Sequence, residues 1–178
     1  EPLTTLTGFL EIFASEYLEL LPEQGREFLL QMQKSSERMA RMISDLLDYS
    51  RLSSSKQDFA LTDFRELLSQ AMANLQSLIE REKAKITFTA LPELPANRAQ
   101  MVRLFQNLLG NAIKYRGEKS PEIQVSATES ESEWIFAVKD NGIGIDKKFY
   151  TKIFKIFQRL HESEEEYQGT GIGLAACQ

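Results

Sequence analysis

Leu3, Leu6, Leu10, Phe13, Tyr17 and Leu20 recur at intervals of 3, 4, 3, 4 and 3. That is an a/d seam, and it confines residues 1–21 to a helix with one narrow apolar stripe. Pro2 suits a first helical turn or the interior of a longer helix. Pro22-Glu23-Gln24-Gly25 stops the helix. A second helix is expected over about residues 26–52, where Met32, Met39 and Leu46 repeat every seven residues. Leu29 and Ile43 join that repeat, with Phe28, Met42 and Tyr49 on a flank. Two heptad helices joined by a short loop make an antiparallel hairpin. One hairpin leaves much of this apolar surface wet, so the expected state is a four-helix bundle, a homodimer through residues 1–52. The alternative is that both helices pack on the rest of the same chain. The polar seam positions Ser36 and Ser50 weaken such a bundle locally and leave it room to rearrange.

Ser53-Ser54-Ser55-Lys56-Gln57 is small and polar and reads as a linker. The expected division is a hairpin at 1–52, a linker at 53–58 and a second domain at 59–178. The second domain opens with a short strand near residues 59–61. A helix follows from Asp63, with Glu66 three residues on as in a capping box. Its core face is Phe64, Leu67, Leu68, Ala71, Leu75, Leu78 and Ile79. Residues 85–90 alternate around Ile86 and Phe88 and predict a strand. Residues 91–95 read as a connection. Residues 122–128 and 134–139 predict two more strands, joined by an acidic turn. The fold class is therefore α+β: a helical hairpin followed by an α/β sandwich with helices on one face.

Residues 99–115 predict the central helix of that sandwich, with Asn97 as N-cap and Gln100 three positions later. Met101, Leu104, Phe105, Leu108, Ala112 and Tyr115 make its apolar face. Arg103, Asn107, Asn111 and Lys114 share another side at steps of four, four and three. Two carboxamide oxygens beside an ammonium suit a metal ion bound to phosphates, since Mg²⁺ takes hard oxygens and keeps some waters. Taken alone, the stripe reads first as a solvated helix face, and the rest of the chain overturns that.

Two glycine runs follow. Asp140-Asn141-Gly142-Ile143-Gly144-Ile145 puts a carboxylate at a strand end, with glycines that permit close approach of a ligand. Gly169-Thr170-Gly171-Ile172-Gly173-Leu174 leads into an expected helix start and offers backbone N–H groups to an anion. Neither has the G-x-G-x-x-G spacing of a dinucleotide fingerprint, and there is no P-loop. Between them, Phe154 and Phe157 read as a docked apolar side, followed by Arg159. Residues 161–168 are polar and acidic and predict a mobile loop placed as a lid over a phosphate site. His161 is the single histidine. With Glu162 beside it and no second ligand or nucleophile at a motif spacing, it is not read as a catalyst.

The net charge of −5 excludes nucleic acid as a partner, because no basic stripe offsets a phosphate backbone. No apolar run reaches membrane-spanning length and no signal-peptide pattern is present. The single Cys177 cannot form an internal disulfide, which fits a reducing compartment.

Asn107 to Tyr115, Asp140 to Ile145, Phe154 to Phe157 and Gly169 to Leu174 resemble, in this order, the N, G1, F and G2 boxes of sensor histidine kinases. The first 52 residues resemble that family's dimerisation and phosphotransfer hairpin. Glu1-Pro2-Leu3, Arg38-Met39 and the run Asp45 to Arg51 look most like the phytochrome-type kinases. The resemblance implies the ATP-binding sandwich shared with gyrase B and the heat-shock chaperone ATPases, a cytoplasmic location and a two-component phosphorelay. It implies ATP and Mg²⁺ as cofactors. Asp140 would accept from the adenine amino group, and Gly142 and Gly144 would admit the base. Asn107 and Asn111 would orient Mg²⁺ and phosphates. Lys114, with Tyr115 beside it, would contact the phosphates, and Arg159 would join from the lid. Gly169, Thr170, Gly171, Gly173 and Leu174 would form the phosphate cradle.

The sequence departs from the family at both ends. The family's acceptor histidine falls about five positions before the proline matched by Pro2, hence before Glu1, and the family continues past Gln178. The chain is thus expected to be a fragment that binds nucleotide without phosphorylating itself, with a sensor domain upstream and a response-regulator receiver domain as partner. Where some members use Thr or Asn in phosphatase activity, Glu1 cannot donate a hydrogen bond when ionised. Two other readings remain: an ATPase of the same fold, or a non-catalytic nucleotide-binding dimerisation module. The related ATPases carry a water-activating Glu where Asn107 stands, and an amide lacks that basicity.

Overall fold

The computed structural model describes residues 2–54, 59–158 and 170–177. The chain divides into two compact units, Glu1–Ser53 and Ser54–Gln178.

In the first unit, helix α1 spans Pro2–Tyr17 and a 3-10 turn follows at Leu18–Leu20. Helix α2 spans Glu23–Ser54. It starts three residues earlier than the sequence predicts, because the Pro22 carbonyl accepts from Gly25 N–H at 2.8 Å and Arg26 N–H at 3.1 Å. The Arg26 guanidinium donates back to the carbonyls of Leu21 at 3.0 Å and Glu19 at 2.8 Å. It thereby satisfies acceptors that the preceding helical segment leaves unpaired.

Two contacts fix the antiparallel register. Thr7 and Ser36 hydroxyls lie 2.7 Å apart, and Gln33 Nε2 donates to the Leu10 carbonyl at 3.3 Å. Thr7 already donates its proton to the Leu3 carbonyl at 2.9 Å, so Ser36 is the donor to Thr7. Ser36 is 1% exposed and Leu29 2%.

The predicted single seam is split in two. Leu3 and Leu10 are half-buried, whereas Leu6, Phe13 and Tyr17 are exposed, with Phe9 between them. On α2, Leu29, Gln33 and Ser36 face inward while Met32, Met39, Ile43 and Leu46 stay exposed. The cause is the width of the apolar stripe. A single helix neighbour covers only one edge of it.

The second unit begins with β1 (Ala60–Asp63), α3 (Phe64–Asn74) and α4 (Gln76–Glu82). It continues with β2 (Lys85–Phe88), β3 (Glu93–Ala96) and α5 (Arg98–Lys114). It ends with β4 (Glu122–Glu129), β5 (Trp134–Asp140) and 3-10 turns at Lys147–Phe149 and Ala175–Cys177. The strands form two sheets. β1 pairs with β3 antiparallel, and β4 lies between β2, parallel to it, and β5, antiparallel to it.

Ile123 and Val125 are buried while Glu122 and Gln124 between them are exposed, so one face of the larger sheet carries the core. Phe64, Leu67, Leu68 and Ala71 of α3 and Phe105, Leu109 and Ile113 of α5 complete that core. Phe136 of β5 stacks on Phe64 at 4.6 Å and meets Phe105 edge-on at 6.1 Å. This is a sandwich with helices on one face, as expected.

Three expectations are corrected. The helix from Asp63 is two helices, broken at Leu75 (φ −104°, ψ 8°), whose N–H still closes α3. Its cap is as predicted, with Asp63 Oδ1 accepting from Arg65 N–H at 2.7 Å and Glu66 N–H at 3.4 Å. The connection at 91–95 contains β3, with Leu61 opposite Pro95. A proline is tolerated there because a two-stranded sheet has only edges. The buried face of α5 is Val102, Phe105, Leu109, Ala112 and Ile113, which shares Phe105 and Ala112 with the predicted set. Met101, Leu104, Leu108 and Tyr115 are only half-buried. Apolar residues surround this helix on most sides, so periodicity alone leaves its rotation undetermined.

Candidate nucleotide site

Helix α5 is the axis of the site. Asn97 caps it, its Oδ1 accepting from Gln100 N–H at 3.0 Å. Burial of the Val102–Phe105–Leu109–Ile113 face turns Arg103, Asn107, Asn111 and Lys114 to the half-buried flank. The two glycine runs attach to this helix at different heights.

The first run seats on its C-terminal end. Tyr115 ends α5 (φ −92°, ψ 40°), and its carbonyl accepts from Ile143 N–H at 3.0 Å. A Cβ on Gly142 would collide with that carbonyl oxygen, which is why glycine stands there. Asp140 Oδ1 accepts from Gly142 N–H at 2.8 Å. The carboxylate is thus oriented by its own loop, and its second oxygen remains as an acceptor. Gly144 has φ +72° in open space.

The second run seats on the middle of α5. Asn107 Nδ2 donates to the Gly173 carbonyl at 3.1 Å, and Cys177 Sγ donates to the same oxygen at 3.2 Å. A Cβ on Gly173 would stand 3.2 Å from Asn107 Oδ1. Ile172, 1% exposed, and buried Ala175 fix the run from beneath. Gly171 has φ +73°, and a Cβ there would stand 3.0 Å from the Phe157 backbone. Its carbonyl accepts from Phe157 N–H at 3.0 Å. The Phe154 to Phe157 segment is therefore fastened to the glycine run. It consists of turns, with both aromatics substantially exposed, not the docked apolar side that the sequence predicts. The expected helix start after Leu174 is the 3-10 turn Ala175–Cys177.

Asn107 and Tyr115 are eight residues apart, or about 12 Å along a helix. Thr170 and Leu174 are half-buried in the second run. Lys114 Nζ lies 3.2 Å from Tyr115 Oη and 4.6 Å over its ring. Arg159, Gly169 and His161, with the predicted lid, lie outside the described residues.

Among the described residues no group of three or more His, Cys, Asp or Glu can hold a metal. A divalent ion here would rest on amide oxygens and on the ligand's own phosphates. Asn107 fits that role, because spending Nδ2 on Gly173 leaves Oδ1 as an acceptor. Burial pushes the Cys177 thiol up, against the opposing hydrogen bond from Asn107 and the charge of Arg103. It is thus a neutral donor to Gly173 rather than a thiolate.

Sequence reasoning missed Asn141. Its Oδ1 accepts from Glu122 N–H at 2.9 Å and its Nδ2 donates to the Ser120 carbonyl at 3.1 Å, tying the loop to the start of β4. The D-N-G run signalled a turn, but nothing local named a partner some twenty positions upstream.

Residues 1–55 match the family described as the His Kinase A (phospho-acceptor) domain. Residues 96–178 match the histidine kinase-, DNA gyrase B- and HSP90-like ATPase family. The two matches together take in most of the chain. The chain belongs to the histidine kinases.

The phytochrome-like protein Cph1 of Synechocystis is 39% identical over 177 residues, 99% of this chain and 24% of that protein. Cyanobacterial phytochrome A of Nostoc is 41% identical over 177 residues, 99% of this chain and 23% of its own. This histidine kinase chain thus spans about a quarter of the length of the curated relatives it matches. Its fold matches full-length ShkA in complex with AMPPNP, with a TM-score of 0.70 at 21% identity, over 98% of this chain and 36% of that one. It also matches the Acinetobacter baumannii histidine kinase AdeS, with a TM-score of 0.62 at 20% identity, over 99% and 81%. No helix among the described residues is long and apolar enough to cross a membrane.

Proposed function

We propose that this chain is the ATP-dependent core of a two-component histidine kinase. The second unit binds Mg-ATP, the γ-phosphoryl passes to a histidine, and a response-regulator aspartate then receives it. The observation that supports this reading is the attachment of both glycine runs to one helix, α5, at the Tyr115 backbone carbonyl and at the Asn107 side chain. Loops met some thirty and sixty residues later thereby bracket one helix flank. The base end lies by Asp140, whose carboxylate takes the adenine amino group, with Gly142 and Gly144 beside it. The phosphate end lies by Asn107, Asn111, Lys114, Thr170, Gly171, Gly173 and Leu174, and the family resemblance adds Tyr115, Arg159 and Gly169 to the nucleotide contacts. Mg²⁺, when bound, supplies charge neutralisation on the phosphates. Asn107 holds the Gly173 turn and presents its Oδ1.

Asn107 favours phosphoryl transfer to a histidine over the same-fold ATPase reading. Its amide is committed as a donor to Gly173 and has no basicity with which to activate water. The exposed stripe Leu6, Phe9, Phe13, Met32, Met39, Ile43 and Leu46 supports a homodimer through residues 1–52. A response-regulator receiver domain is the proposed second partner; a ThkA structure contains its response regulator TrrA.

Calorimetric titration tests the site. The chain binds MgATP and MgADP. Asn111→Ala loses the Mg²⁺-dependent part of the affinity with little change in fold, since its side chain lies outside the buried face. Asp140→Asn turns an amino group toward the adenine amino group, and a buried unpaired donor costs about 1–3 kcal/mol. Its preference for ATP over GTP collapses accordingly. Unchanged affinity in both variants would reject the assignment.

A further inference from the structure

We propose that Glu82 is a positioning residue for the base end of the nucleotide site, acting through Arg116 on the Tyr115 carbonyl; this rests on the nucleotide reading above. Neither Glu82 nor Arg116 belongs to any of the nucleotide motifs. Asn141 ties the 140–144 loop to the start of β4, and a single oxygen ties it to the end of α5. The Tyr115 carbonyl accepts the Ile143 N–H at 3.0 Å, and Gly142 passes so close that no Cβ fits. The direction of that carbonyl is the torsion between Tyr115 and Arg116, where the chain has left the helix and its hydrogen-bond ladder no longer holds it.

Arg116 supplies what the ladder does not. Its Nε donates to Glu82 Oε2 at 3.1 Å, and Nη1 of the same planar group donates to the Gly117 carbonyl at 3.2 Å. The guanidinium thus ties the Arg116–Gly117 segment, which follows the Tyr115 carbonyl, to the end of a second helix. The anchor itself is stiff. Glu82 is the last residue of α4, which closes in a Schellman turn. Lys83 N–H bonds to Glu80 at 3.2 Å and Ala84 N–H to Ile79 at 2.9 Å, with Lys83 at φ +53°. The other Glu82 oxygen accepts from Arg81 Nε at 3.0 Å. The hydrogen bond from Arg81, with Arg116 next, holds the Glu82 carboxyl below its ordinary 4.5, so it is an anion at neutral pH. With a side chain 23% exposed, Glu82 is the sheltered member of the pair.

The brace acts on the loop that meets the Tyr115 carbonyl, not on the loop that meets Asn107. Asn107, which meets the phosphate-end loop, lies two helical turns away. The expected signature is therefore a loss in base recognition, equal for ATP and ADP. Glu82→Gln keeps the shape and removes the charge. Its affinity for MgATP and for MgADP falls together, by up to about fivefold for a half-exposed pair of this kind, and its preference for ATP over GTP narrows. Arg81→Gln stays within about twofold of the parent, because it leaves the Arg116 pair intact. The exchange Glu82→Arg with Arg116→Glu restores the preference.

All variants are titrated in the full chain with the three Mg-nucleotides, with circular dichroism as a check of fold. Should Glu82→Gln lose its fold, Arg116→Gln removes the same pair from its more exposed side and carries the same expectation. Glu82→Gln binding ATP like the parent, or losing affinity for ATP but not ADP, overturns the positioning role and leaves the nucleotide site standing. A parent chain that binds none of the three nucleotides overturns the site reading itself.

Discussion

The two units handle apolar surface in opposite ways. In the second, Phe105, Leu67, Leu68, Leu109, Ile113 and Val125 are almost completely buried within one chain. In the first, Leu29 is the one large side chain in the described core, while Phe9, Ile12, Phe28 and Leu47 stand more than half exposed. A sheet offers a broad face against which two helices close. A pair of helices offers each other only a strip, and the remainder of a wide apolar stripe has to find another surface. The sandwich is therefore a self-sufficient core, and the hairpin is an unfinished one. The interior contact that singles out the hairpin is polar, the Thr7–Ser36 hydroxyl pair.

The largest effect that separates them is a cavity. Phe105→Ala removes a ring that touches both Phe64 and Phe136, and truncation of such a side chain costs about 3–5 kcal/mol. Denaturant unfolding followed by the signal of Trp134, which lies in β5, should shift by that amount, while the helical signal of the hairpin is retained. A shift below about 1 kcal/mol would mean that the sandwich core is not as closed as its burial indicates.

Next comes the exposed stripe. Phe13→Lys adds a charge where Phe13 stacks on Tyr17 at 5.1 Å on an outward face. If that face is covered by a second hairpin, losing one such side chain removes about 1.5–3 kcal/mol. Sedimentation should then show the dimer dissociating at tenfold or more higher concentration, with little change in helix content. Identical sedimentation of parent and variant would erase the proposed contrast between a finished and an unfinished core.

The smallest effect sharpens the contrast within the hairpin. Ser36→Ala leaves Thr7 Oγ1 without its donor and should cost about 1 kcal/mol, whereas Ser36→Ala with Thr7→Val removes both partners and should recover most of it. Thermal melting of the two variants measures the difference. Additive losses would show that the hydroxyl pair does not act as a unit.

Much of this was readable from residues in order. The caps Asp63 and Asn97, the strands at β2, β4 and β5, and the break at Pro22 all follow from local chemistry that acts within a few positions. The resemblance of four motifs in fixed order points to the histidine kinases from the sequence alone. What local pattern did not reach is where long-range partners decide. β3 contains a proline and reads as a loop until β1 lies beside it. Leu75 continues the helical period yet breaks the helix. The rotation of α5 is set by α3 on one side and by the sheet on the other, and its apolar residues alone allow several answers.

The same division holds for the site. The residue types at Asn107, Asn111, Asp140, Gly142 and Gly173 and their spacing came from the sequence, because the chemistry of a carboxylate, an amide oxygen or a missing Cβ does not depend on what surrounds it. Only the tertiary structure put Gly173 on Asn107, Gly142 on the Tyr115 carbonyl, Asn141 on Ser120 and Glu122, and Arg116 on Glu82. Those pairs are separated by between nineteen and sixty-six positions. A hydrogen bond across such a gap leaves no periodic trace in the chain. It exists because the α3–α5–sheet core brings the backbone segments together, and the loops then settle on whatever donors and acceptors that core presents.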